Sequence, residues 1–224
     1  ALGQDRQPDP RAMALLREVY ARRETWNAAF PGFEARAVVH FRGQECRGTV
    51  RVGPDYQVAV SLPEREAERW VRETLVSLAG HRRPTRLEDT EGRHPMSLGP
   101  EDGHPSGRLL LLRDPTGSTY RIRDSEIRQV NRVIPGRGGR EMKFTIEVLE
   151  TRITEGNRRL PRAFTVSYYD GASARLLKSE SHWESYRRVG DYYLPEARNQ
   201  FTAEDGGNWT AGLRLEEHRL LNGT

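Results

Sequence analysis

Six histidines and a single cysteine are the residues of this 224-residue chain with the most obvious capacity for chemistry. His81, His94 and His104 share one irregular stretch, where a cluster of imidazoles could hold a metal. No pair of them has the short spacing of zinc ligands and no carboxylate recurs beside them, so neither a metal nor a cofactor is expected. His40 and His218 fall on polar faces of predicted strands, where exposure is expected. Cys46 falls at an inward position of a strand, which reads as a small buried hydrophobe rather than a nucleophile. No Gly-x-Ser-x-Gly elbow occurs, and Gly136 to Gly139 reads as a hairpin tip because no helix follows to cradle a phosphate. Thirty-two acids offer too many carboxylate pairs to single one out. The sequence therefore assigns no catalytic residue.

The remaining chemistry is apolar and aromatic. Trp70 and Val71 on one predicted helix, with Tyr168, Tyr169, Trp183, Tyr192 and Tyr193 on strands, could line a cavity between helices and a curved sheet, or could be core and nothing more.

The elements that would position these residues are legible from periodicity. Asp9-Pro10 is a helix start, an N-cap followed by a proline whose missing N–H costs nothing at the first helical position. Leu15, Val19, Trp26 and Phe30 recur near every fourth residue, which predicts a helix over 10–30 ended by Pro31-Gly32. Three strands follow over 33–62, alternating with period two: Phe33, Ala35, Ala37, Val39 and Phe41; then Cys46, Gly48, Val50 and Val52; then Tyr56, Val58, Val60 and Leu62. A second helix is predicted over 63–80, with Ala67, Trp70, Val71, Leu75 and Leu78 on one face and Gly80 as its stop. Residues 81–107 read as an irregular loop holding one short strand near Met96.

From 108 to 221 the chain reads as an antiparallel meander cut by turn signals such as Asp124-Ser125, Gly156-Asn157, Asp170-Gly171 and Gly190-Asp191. Met142, Phe144, Ile146 and Val148 alternate with polar residues, as do Phe164, Val166 and Tyr168. The last two strands are polar on both faces and are expected near an edge. The predicted fold is α+β: a large curved antiparallel sheet, a half-barrel of about ten or eleven strands, with two helices packed on its concave face, in a single domain over 1–224.

Thirty-six basic residues against 32 acidic ones, a formal charge of +4, do not point to nucleic acid. All but Lys143 and Lys178 are arginine, and acids are interleaved with them rather than segregated from a basic face. One cysteine excludes an intramolecular disulfide. No apolar run approaches the roughly 20 residues of a membrane helix, so no transmembrane segment is expected. The chain begins at Ala1 without a methionine, from which a removed export signal and a periplasmic or exported location are expected, with cytoplasmic as the alternative.

Five segments in order carry a likeness: Phe30-Pro31-Gly32-Phe33, Gly48 to Val52, His81-Arg82-Arg83, Tyr120 to Asp124, and Tyr192-Tyr193-Leu194-Pro195. Together, over roughly residues 11–200, they resemble a bacterial and chloroplast family of uncharacterised proteins, catalogued as a domain of unknown function. That family has no established catalytic residues to carry over. The layout is also similar to the periplasmic lipoprotein-carrier superfamily, open half-barrels with helices across the concave side. That resemblance implies acyl chains held against Trp26, Phe30, Trp70, Val71, Leu75 and Leu78; Tyr168 and Trp183 join them as aromatic candidates. The long polar loop 81–105 and the arginine-rich strands depart from the carriers. Three readings stay open: a non-enzymatic binding protein for a lipid or other lipophilic ligand; a structural or protein-interaction module that meets a partner through a sheet edge; and an enzyme, which would need loop histidines to converge with an acid.

Overall fold

The structure is a computed structural model and describes residues 8–221. Helix α1 (Pro10–Arg22) precedes β1 (Phe33–Phe41), β2 (Gln44–Val52) and β3 (Val58–Ser61); α2 (Arg65–Arg82) follows, then β4 (Met96–Leu98), β5 (Arg108–Leu112), β6 (Thr119–Arg123) and β7 (Glu126–Pro135). The long strands close the chain: β8 (Glu141–Thr154), β9 (Arg158–Asp170), β10 (Leu176–Val189), β11 (Tyr192–Glu204) and β12 (Gly207–Leu220). The twelve strands form one open antiparallel sheet in the order β3-β2-β1-β12-β11-β10-β9-β8-β7-β6-β5-β4. That is one strand more than the upper expected number, and the three-residue β4 is a full member, pairing Met96, Ser97 and Leu98 with Leu112, Leu111 and Leu110. The front strands and the meander share this sheet, as their alternation implied. β11 and β12 are not near an edge, because β3 and β4 are the end strands. The polar residues that suggested an edge are buried instead: Arg198, Gln200 and Thr202 of β11 are all under 9% exposed.

The first helix is shorter than its period suggested. It ends at Arg22, and Arg23 turns extended, at φ −68° and ψ 131°, to bridge Arg159. The Glu24 amide donates to the Arg159 carbonyl (2.9 Å). Trp26 and Phe30 kept the helical spacing while the chain left the helix, because tertiary contacts override a periodicity that a few residues satisfy by chance. The second helix runs through Gly80 to Arg82. Its end is set by Arg83, whose amide reaches back to the Ala79 and Gly80 carbonyls and which Pro84 holds out of helical geometry.

Contacts group the described residues into two compact units, one of residues 8–24, 85–181 and 203–206 and the other of 25–84, 182–202 and 207–221. In the first, Ala12, Leu16 and Val19 of α1 are buried with Leu87, Met96, Leu110, Leu112, Tyr120 and Ile122, and Ile127 and Val130 pack against this cluster. The loop over 81–107 contains two short 3-10 turns, Leu87–Asp89 and Glu91–Arg93, besides β4. Its far end is tied down by Asp102, which receives two bonds from the Arg121 guanidinium (3.1 and 2.8 Å).

In the second unit, Ala67, Trp70, Val71, Leu75 and Leu78 of α2 are buried, as are Phe33, Val39, Val50, Val52, Leu213 and Leu215 of the strands. Gly48 is required where it stands: a Cβ there would lie 1.9 Å from the Ser61 carbonyl oxygen. A β-bulge between Glu34 and Arg36 puts Glu217 in the left-handed region at φ 53°. The bulge breaks strand parity, so His218, expected on the polar face, is part-buried, stacks on Phe33 (centroids 6.0 Å apart) and contacts the Pro195 carbonyl (2.7 Å).

Candidate functional site

The residues expected to line a cavity are distributed as follows. Trp26, Phe30, Trp70, Val71, Leu75 and Leu78 are core residues of the second unit, each no more than 8% exposed. Trp26 stacks on Phe30 (4.2 Å) and donates its indole N–H to the Tyr193 carbonyl (3.0 Å), while Trp70 donates to Gln200 Oε1 (3.0 Å). Tyr168 belongs to the first unit and is part-exposed. Trp183 is 50% exposed, because its neighbours His182 and Glu184 take the buried side of β10. The open grooves among the described residues include one of about 800 Å³ beside Arg36, Arg51, Glu217 and Arg219, one of about 430 Å³ at Arg140, Glu141 and Asp170, and one of about 420 Å³ beside Phe41, Cys46 and the start of α2. None of the expected residues lines any of these three.

The buried side of β10 and β11 in the second unit is polar. Arg198 meets Glu184 at 3.4 Å and His182 Nδ1 at 3.1 Å, and the Tyr186 hydroxyl donates to Glu184. Burial, and then the Glu184 charge, push the Tyr186 hydroxyl far above the usual phenol range. Gln200 links Trp70 to Thr202 (3.0 Å). The Arg198–Glu184 pair ties the two strands to each other, and the Trp70–Gln200 bond ties α2 to β11.

The first unit has a different kind of surface. Cross-strand register puts Val130 opposite Ile146, Ile146 opposite Val166, Phe144 opposite Tyr168 and Val148 opposite Phe164. Ile134 and Met142 continue the same face. Val130 also packs on the cluster under α1, so this is the face α1 covers at its other end. The helix finishes beside the start of β9, where Leu160 and Ala163 are fully buried. Beyond its reach Val166 is 7% exposed, and Phe144, Ile146, Val148, Phe164 and Tyr168 are all part-exposed. An apolar strand face open to water is the unusual feature here, since scattered exposed hydrophobes are ordinary and a contiguous face is not. The strand alternation signalled which residues share this face, but Tyr168 alone of them was expected at a site.

A hydrogen-bonded chain runs from α1 to the border of that face. Tyr20 of α1 donates to Glu91, and Tyr120 donates to the other oxygen of Glu91 (3.1 Å). Arg132 of β7 then donates to the Tyr120 hydroxyl (2.9 Å) and to Ser118 Oγ (3.1 Å), and Ser118 donates to Asp114 (2.6 Å). Burial, then the Glu91 interactions, push both phenols up to about 12. Burial raises the Glu91 carboxyl, but hydrogen bonds from Tyr20, Thr90 and Tyr120 outweigh it and hold the group below its usual range. Likewise Asp114 is raised by burial and lowered further by Ser118 and Thr116. Lys178, on β10, sits 4.4 Å from the centroid of the Tyr168 ring and pairs with Glu180 at 2.8 Å.

Among the described residues no three His, Cys, Asp or Glu side chains come close enough to hold a metal. His81 is exposed on the last turn of α2, and His104 Nδ1 accepts the Ser106 amide in a local turn (3.1 Å). Cys46 is 9% exposed, and burial, then Glu64 and Glu45, raise its thiol. No described helix is long and apolar enough to cross a membrane.

Residues 7–221 match a family described as a protein of unknown function, DUF3386. The chain belongs to this family. No curated protein matches it. Among solved structures it is similar to a putative outer membrane lipoprotein-sorting protein domain from Vibrio parahaemolyticus, at 10% identity over 95% of this chain and 93% of that one, with a TM-score of 0.33. It is similar to MucB at 12% identity over 93% of each chain, TM-score 0.31. A DUF1329 family protein from Desulfovibrio piger gives 7% identity over 97% of this chain and 95% of that one, TM-score 0.29. Agreement at this level carries no ligand or partner across.

Proposed function

We propose that this protein binds a lipid or another lipophilic molecule, without catalysis, on the α1-side face of β7, β8 and β9. The observation that carries the reading is the apolar face itself: α1 buries one end of it, and Phe144, Ile146, Val148, Phe164 and Tyr168 remain part-exposed beyond the helix. Exposed apolar area on this scale gains free energy when a hydrophobic occupant sheds its water there, at about 0.8 kcal/mol per buried methylene. The reading includes a half-barrel sheet with its helices across the concave side. Tyr168 is then a ligand contact, and Trp26, Phe30, Trp70, Val71, Leu75 and Leu78 support the fold.

Recognition of a protein partner by strand addition has less support, because both sheet ends are blunted. β3 is four residues long, and Arg72 of α2 reaches the Val58 and Val60 carbonyls (3.4 and 3.5 Å). β4 is three residues long, and its Met96 carbonyl accepts the Asp9 amide (2.9 Å). Such devices protect edges from added strands.

The test is native mass spectrometry of protein purified gently from its own host, and again after incubation with phospholipid and fatty acid. A lipid-sized adduct released by denaturation is expected, lost in Ile146→Asp and kept in Trp183→Ser. An adduct that survives Ile146→Asp in a folded variant, or no uptake of any lipid, would overturn the reading.

A further inference from the structure

We infer that the occupant of this face is an anionic amphiphile whose acidic group pairs with Arg132. The inference rests on the lipid-binding reading above and names the class of ligand. Arg132 stands opposite Phe144 in the β7–β8 register, so a guanidinium sits among the apolar side chains of the face. It is held by one edge: Nε donates to Ser118 Oγ and Nη2 to the Tyr120 hydroxyl, both neutral oxygens. Among the described residues it has no ion pair, and its Nη1 has no acceptor and is not sealed from water. The neighbouring acids are engaged by other donors, and Asp114 feels the Arg132 charge only through space, without a direct bond. Asp114 accepts Ser118 and Thr116, and Glu91 accepts Tyr20 and Tyr120. Lys178, which lies over the Tyr168 ring, already has Glu180.

A cation beside apolar surface is stabilised most by a charge-assisted bond to an anion, and a guanidinium fixed along one edge gives up little further entropy in making it. An acyl chain lying over Phe144, Ile146 and Val166 would bring a carboxylate or phosphate at its head to Nη1. Both sources share this chemistry, a single anionic oxygen group on an aliphatic chain.

The experiment compares binding of monomeric myristate, myristoyl-lysophosphatidylglycerol and uncharged 1-monomyristoylglycerol by isothermal titration calorimetry, to the full chain and to Arg132→Gln and Arg132→Lys. The protein is expected to bind at least one anionic probe about tenfold more tightly than the uncharged one. Preference for myristate alone identifies a free carboxylate as the partner, for the lysophosphatidylglycerol alone a headgroup phosphate. Arg132→Gln should abolish the preference by weakening the anionic probes towards the affinity of the uncharged monoacylglycerol, and Arg132→Lys should keep part of it. Equal binding of all three probes, or a preference that survives Arg132→Gln, overturns the inference and leaves the lipid-binding reading standing. Binding of none of them overturns both. Circular dichroism of each variant separates a lost contact from a lost fold.

Discussion

Replacing Tyr120 with phenylalanine tests whether the chain from α1 to the apolar face is held together by its central hydroxyl. Tyr120 is 1% exposed, and its oxygen both donates to Glu91 (3.1 Å) and accepts from Arg132 (2.9 Å). The substitution keeps the ring, so no cavity is made. Two bonds to charged groups are lost, each worth about 1.5–3 kcal/mol net. Glu91 keeps Tyr20 and Arg132 keeps Ser118, so the expected cost is at the low end of the sum, about 3 kcal/mol. With a urea dependence of about 3 kcal/mol/M for a chain of this size, the midpoint should fall by about 1 M. Far-UV circular dichroism is the appropriate probe, because all four tryptophans, Trp26, Trp70, Trp183 and Trp209, lie in the second unit and report on that unit alone. Glu91 adds a pH signature. Its folded value is depressed, so its contribution is present above the unfolded value near about 4.3 and is lost as pH falls through the folded value. A midpoint shift under about 0.3 M at neutral pH would refute the argument that these bonds secure the first unit.

Three further outcomes are expected. Arg198→Met should destabilise the second unit by about 3–5 kcal/mol, measured by tryptophan fluorescence in urea, because it leaves the 6%-exposed Glu184 without its cation; a neutral effect would mean that the pair is dispensable. Gly48→Ala should push β3 off β2, since the new Cβ would fall 1.9 Å from the Ser61 oxygen; faster hydrogen exchange in β3 and a loss of about 2 kcal/mol or more are expected, and an unchanged exchange pattern would contradict the geometry. The Arg121 bonds hold Asp102 down at about 2, against an unfolded value near about 3.9, so this tether of the loop is intact above that value and released as pH falls towards 2; an NMR titration should show Asp102 returning upward in Arg121→Gln, and no change would remove the tether from the account.

Much of this architecture was written in local chemistry. Asp9-Pro10 starts α1 because an Asx cap and a proline suit the first turn and little else, and Asp9 does accept the Arg11 amide (2.8 Å). Asp124 and Ser125, both at positive φ, mark a tight reversal, and the alternation of Met142 to Val148 and of Phe164 to Tyr168 assigns those residues to one face without any knowledge of the fold. Periodicity misled where a few coincidences imitate it: Trp26 and Phe30 sit at helical spacing from Val19 but lie past the end of the helix. Residue type misled on β10, where the aromatic candidate Trp183 faces out and His182, Glu184 and Tyr186 face in. Charge in those side chains is tolerated inside only because Arg198 arrives from a neighbouring strand, a pairing that no local window contains.

The candidate site divides along the same line. Strand period determines that Phe144, Ile146 and Val166 point the same way, because side chains alternate across a pleated sheet whatever else happens. Whether that face is covered depends on where α1 stops, and α1 stops where Glu24 meets Arg159 and Thr154, residues more than a hundred positions away in the chain. The same holds for Arg132. Its place in β7 is local, but its surroundings are not: Ser118 and Tyr120 hold it, while Tyr20, Tyr120, Thr116 and Ser118 engage Glu91 and Asp114. Burial and pairing are sums over neighbours brought together from distant sequence, so only the tertiary structure could decide them.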